Sequence, residues 1–140
     1  MYAVDRRLRV LLVDDQPLFL NALQVALAEE DWIEVVGCAA NGEEALELVT
    51  SLSPDLVLMD VAMPVLDGIE ATRRIRHLTT SPSVVILTGT DRPEGHVLAH
   101  DAGASGYVRK TGDLPKLVNS VLALATLARP IGSDGEPLPR

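Results

Sequence analysis

LLVDDQP, residues 11–17, is an apolar run that ends in two adjacent carboxylates, Asp14 and Asp15, with a proline two positions on. A buried strand that delivers two like charges side by side incurs repulsion. Two readings of the pair stand at this point. It caps the helix that Pro17 opens, since proline suits a first helical turn. Or it holds a cation that a third carboxylate from elsewhere also needs. In both, the run is a strand that feeds directly into a helix.

Moving outward, strand-then-helix recurs along the chain. Strand-like runs are LRVLLV (8–13), WIEVVG (32–37), DLVLMD (55–60), SVVILTG (83–89) and SGYVRK (105–110). Most are nearly continuous in Val, Leu and Ile rather than alternating, as in strands covered on both faces. Helical patterns lie between them at about 17–30, 42–52, 68–78, 94–102 and 113–128. Asn41 and Asp113 are placed to cap helices, and Asp67-Gly68 punctuates a strand-to-helix connection. Five βα units predict an α/β fold, a single doubly wound parallel sheet with helices on both faces. Residues 1–7 read as an N-terminal extension, 8–128 as one domain, and PIGSDGEPLPR (130–140) begins a linker or tail from 129.

Composition narrows the function. The 140 residues are 47% hydrophobic but only 3% aromatic, so the core is aliphatic and a stacked-aromatic RNA platform is disfavoured. A formal charge of −8, with Arg6, Arg7 and Arg9 as the densest basic cluster, argues against direct nucleic-acid binding by this chain. No apolar run approaches a membrane span, no signal peptide opens the chain, and a reducing cytoplasm is expected. The single cysteine, Cys38, lies in WIEVVGC and is expected to be a small buried thiol.

Sites in open parallel sheets form beyond the carboxyl ends of the strands, where strand order reverses. With the order 2-1-3-4-5, one of the two common doubly wound arrangements, the first and third strands flank that point. Asp14 and Asp15 end one, and Asp60 ends the other. Converging carboxylates call for a small hard cation, Mg²⁺ above all, which needs only one or two of them alongside water and substrate oxygens. Thr88 ends the fourth strand and Lys110 the fifth. A hydroxyl and an ammonium around an aspartate suit phosphoryl transfer to that aspartate. Singly, each of these residues is more simply a cap, a turn residue or a solvated side chain. All at the same edge, they are not.

The residues VLLVDDQP (10–17), PDLVLMDVAMPVLDGIEA (54–71), VVILTGT (84–90) and GASGYVRK (103–110) resemble the receiver domains of two-component response regulators. The likeness runs from about 8 to 128 and is greatest to the NarL/FixJ (LuxR-type) subgroup. The resemblance implies a flavodoxin-like or CheY-like (βα)5 fold. It implies Asp60 as phosphoacceptor, Mg²⁺ held by Asp14, Asp15, Asp60 and the backbone carbonyl of Ala62, and Thr88 and Lys110 on the phosphoryl group. Tyr107 takes the place of an aromatic switch, with a half-buried edge-strand tyrosine as the plainer alternative. The implied partner is a sensor histidine kinase, and the implied output is control of transcription through a C-terminal helix-turn-helix absent from this chain. A stand-alone or degenerate receiver that acts by binding is the alternative. The chain is not expected to be an enzyme beyond its own phosphoryl transfer and dephosphorylation.

Two departures from the family pattern stand out. Thr111 follows Lys110 where many receivers have proline, so a cis peptide is not expected there. Ala62 is small where many carry a longer side chain, which predicts less shielding of an acyl phosphate. Among rivals, a haloacid-dehalogenase-type phosphatase wants an aspartate at position 62, and a nucleotide- or flavin-binding protein wants a glycine-rich phosphate loop that is missing. The first and last helices are apolar over more than half their circumference. Leu20 and Leu124 are therefore candidates for a face that docks a second copy or an output domain, with simple burial as the alternative.

Overall fold

Near-continuous apolar strands need cover on both faces, and the chain provides it. The computed structural model describes residues 7–79, 81–89 and 92–128. Its strands are β1 (Leu8–Val13), β2 (Ile33–Ala39), β3 (Leu56–Asp60), β4 (Ser83–Thr88) and β5 (Gly106–Arg109). Its helices are α1 (Pro17–Ala28), α2 (Gly42–Leu52), α3 (Gly68–Ile75), α4 (Pro93–Ala102) and α5 (Leu114–Leu127). All four strand pairs are parallel, in the order β2-β1-β3-β4-β5. The expected extension at 1–7, save Arg7, and the tail at 129–140 lie outside the described residues.

The two-residue strand period sorts the core into two layers. Leu8, Val10 and Leu12 of β1 face Leu23 and Leu27 of α1 and Leu117, Val121 and Ala125 of α5. Leu11 and Val13 face the other way, toward Ala45 and Val49 of α2, Ala71 and Ile75 of α3, and Ala99 of α4. At about 1.5–3 kcal/mol per fully buried aliphatic side chain, these layers are the main source of stability. Among the described residues no helix is long and apolar enough to cross a membrane.

Local chemistry sets the element ends. Asn41, Asp67 and Asp113 each accept a hydrogen bond from the backbone N–H three residues on, at 2.9, 2.8 and 3.2 Å. Asp15 does not cap α1. The N-cap is Gln16, without a side-chain bond, and its N–H donates to Asp14 Oδ1 at 2.9 Å. Two helices are shorter than their periodicity: α1 and α3 both close with N–H groups bonded three residues back, at Glu29, Glu30, His77 and Leu78. Cys38 is exposed rather than buried. It sits on the edge strand β2, with the Gln24 side chain 3.9 Å from its sulfur, and partial burial still pushes its thiol pKa up. Leu20 and Leu124 are half-buried and pack against the first core layer, whereas Leu18, Val25 and Leu127 stand exposed. The described residues contain no cis peptide.

One close approach ties the fold to its upper edge. Gly68, the first residue of α3, donates its N–H to the Val61 carbonyl at 2.9 Å, and a Cβ there would be driven into the Asp60 carbonyl oxygen. Backbone cannot yield as a side-chain tip can. Gly68→Ala is expected to destabilise the fold by about 1–3 kcal/mol, seen as a lower urea midpoint with an unchanged slope.

Candidate functional site

Four strands end on one edge, and each delivers a polar side chain there. Asp14 follows β1, held by its N–H to the Ala39 carbonyl at 3.0 Å. Asp60 and Thr88 are the last residues of β3 and β4, and Asp14, Asp60 and Thr88 are all buried. Lys110 follows β5, its N–H bonded to the Thr88 carbonyl at 2.6 Å.

The carboxylate oxygens of Asp14, Asp15 and Asp60 lie within 4.8 Å of one another. Lys110 reaches across them: its Nζ is 2.6 Å from Asp14 Oδ2 and 3.0 Å from Asp60 Oδ1. The ammonium also stands 4.4 Å above the Phe19 ring centroid. Three acidic side chains stand against one ammonium, which contacts only Asp14 and Asp60. The donors are all hard oxygens, two of them buried, and the set fits a small divalent cation such as Mg²⁺. Ala62 lies on the loop leaving β3 with its side chain exposed.

Burial pushes the Asp60 carboxyl above its ordinary range. Lys110 pulls it back, Asp14 pushes it up again, and the net direction is upward. Burial by itself would depress Lys110, but its hydrogen bonds to Asp14 and Asp60 outweigh that and raise it. Both members of one ion pair thus move up. The lysine does so because it faces two carboxylates, and Asp60 because burial outweighs its bond to Lys110.

On the far side of Thr88, a cavity of about 300 Å³ opens between Thr88 and Tyr107, walled by Val61, Ile69, Gly95 and Leu98 among others. Tyr107 is half-buried, with its ring 3.9 Å from that of His96 and its hydroxyl against the spot a Cβ on Gly95 would fill. The structure therefore brings Asp14, Asp15, Asp60 and Lys110 together and sets Thr88 and Tyr107 around an adjoining cavity. Leu20 and Leu124 pack against the α1–α5 core layer instead. Sequence reasoning missed Phe19 at the site and Gly95 and His96 beside Tyr107. Phe19 sits four residues after Asp15, but its apolar spacing is the same as that of a core residue.

Five βα units with acids at the β1 and β3 ends and a lysine after β5 define a doubly wound sheet with an acidic crevice at the carboxyl ends of its strands. Residues 10–122 match the response regulator receiver domain family, and the chain belongs to it. It is 37% identical over 118 residues to the chemotaxis protein CheY of Halobacterium salinarum, an alignment covering 84% of this chain and 97% of CheY. It is 35% identical over 130 residues to the transcriptional regulatory protein LiaR of Bacillus subtilis, covering 93% of this chain but 58% of LiaR. Among solved structures, the signal receiver domain of NarL from Mycobacterium tuberculosis superimposes with a TM-score of 0.78 at 32% identity, covering 86% of this chain and 97% of that one.

A carboxyl with a raised folded-state pKa favours the fold while protonated, and that contribution is lost as pH rises through the folded value. With chelator present, Asp60→Asn is therefore expected to melt higher than wild type near pH 7. The gap should close below about pH 4, where both states of the wild-type carboxyl are protonated. Calorimetry across that range checks it.

Proposed function

We propose that this chain is a phosphorylation-operated receiver, with Asp60 accepting a phosphoryl group from a sensor histidine kinase. The observation that carries it is the Lys110 ammonium spanning Asp14 and Asp60 inside a three-carboxylate cluster. An Asp60 oxygen forms the new bond to phosphorus as the donor's bond breaks and its electron pair leaves with the donor. Lys110 gives up Asp60 Oδ1 for a phosphoryl oxygen, and the Thr88 hydroxyl donates to another. Mg²⁺, held by Asp14, Asp15, Asp60 and the Ala62 carbonyl, would supply charge neutralisation of the phosphoryl oxygens. As Thr88 is drawn toward Asp60, the neighbouring cavity changes shape and Tyr107 has room to turn into it. The result is a population shift of the surface made by α4, β5 and α5.

On this reading the protein is cytoplasmic, and its output is a changed surface rather than a product. LiaR, which extends well beyond the matched region, supports control of transcription through a further DNA-binding domain. CheY, matched over nearly its whole length, supports a stand-alone receiver acting on a protein partner. Self-association would use the α1–α5 side. Leu18 and Val25 stand exposed seven residues apart on one helical face, beside a groove of about 740 Å³ that Val25, Val118 and Leu122 help to line.

Incubation with acetyl phosphate and Mg²⁺ is expected to add one phosphoryl group by intact mass. The gain should vanish in Asp60→Asn and with chelator. Silence in wild type toward both acetyl phosphate and beryllofluoride would leave a binding-only receiver. Val25→Glu is expected to abolish any phosphorylation-dependent dimer in sedimentation while sparing uptake; an unchanged dimer would remove α1 from the interface.

A further inference from the structure

Lys110 is held from three sides, and only two of them are acidic. Its Nζ meets Asp14 Oδ2 and Asp60 Oδ1, and its remaining side faces the Phe19 ring, 4.4 Å from the centroid. The face of an aromatic ring carries negative potential, so an ammonium above it is attracted, the more so where water is excluded. Lys110 is only 17% exposed at its side chain. Phe19 stands in the first turn of α1, between Leu18 and Leu20, and it is half-buried at the margin of the first core layer. Apolar cover alone would be met by a third leucine. A flat π-face directed at the ammonium is what phenylalanine adds.

We propose that Phe19 is a positioning residue for phosphoryl transfer: its ring holds the Lys110 ammonium in register while that ammonium exchanges Asp60 Oδ1 for a phosphoryl oxygen. The assignment rests on Asp60 being the phosphoacceptor. In the transfer, an Asp60 oxygen gains its bond to phosphorus, acetate leaves acetyl phosphate with the electron pair, and no proton need move. Negative charge spreads over the phosphoryl oxygens as this happens. An ammonium fixed by a ring that accepts no proton and offers no competing anion can follow that charge without first shedding water.

The test replaces Phe19 with fluorinated phenylalanines of rising fluorine content, which weaken the π-face while nearly preserving shape, alongside Phe19→Leu and Phe19→Trp. Uptake of phosphoryl from acetyl phosphate is expected to slow stepwise with fluorination, reaching roughly 2- to 30-fold in Phe19→Leu, the span of a cation–π contact converted to rate. Phe19→Trp should recover it. On a Lys110→Met background the Phe19→Leu change should add nothing. A rate indifferent to fluorination, or an equal loss on both backgrounds, would overturn the role of Phe19.

The Lys110 ammonium resonance, read by NMR without donor, separates the two ideas. It should be displaced upfield by the ring current in wild type and relax toward the free-lysine position in Phe19→Leu. That signature without any uptake in wild type would sink the receiver function alone. Its absence would sink the Phe19 contact.

Discussion

The structure depends on one electrostatic settlement: two carboxylates taken out of water and reconciled by a single ammonium. Asp14 and Asp60 end neighbouring strands, and their repulsion would grow as the sheet closes around them. Lys110 answers it from β5, at the far end of the sheet order. An ion pair in this position is weak support for stability, because desolvation consumes much of the attraction. Its consequence is placement. The ammonium fixes which oxygens point into the crevice, and the third acid, Asp15, stays exposed at the rim.

Much of this was legible in the chain because the same physics writes both. Strands covered on two faces have no reason to alternate, so LRVLLV and DLVLMD announced themselves. Each chemically useful side chain fell at a strand's carboxyl end, which is where open parallel sheets bind. What stayed hidden depended on neighbours. Cys38 sits in an apolar run like a core residue, but β2 is an edge and leaves its outer part uncovered. Asp15 looked like a cap, yet the Gln16 N–H turns back to Asp14 instead. Phe19 carries the periodicity of α1, and only the approach of Lys110, just after β5, to the start of that helix sets its ring under a lysine. Strand order itself came from a common arrangement rather than from residues, since local pattern does not say which strands pair.

The region beyond Thr88 shows a different economy of packing. Elsewhere the interior is filled by Val, Leu and Ile, but between Thr88 and Tyr107 a cavity persists beside the site. Tyr107 rests on His96 and against Gly95 and packs against the second core layer. The layer under α1 and α5 is filled by aliphatic side chains, and the pocket lies on the other face of the sheet, beside α4.

The Lys110–Asp14 contact joins residues 96 positions apart. Along the chain, Asp14 stands near the start of the described residues and Lys110 near their end. Until β5 docks, the two buried acids have no counter-charge from the protein, and the crevice is an incomplete one. The full set of acids and ammonium thus exists only in a finished sheet. A copy clipped before β5 would keep its aspartates but lose the ammonium that reconciles them, so the geometry of the site registers the integrity of the whole domain.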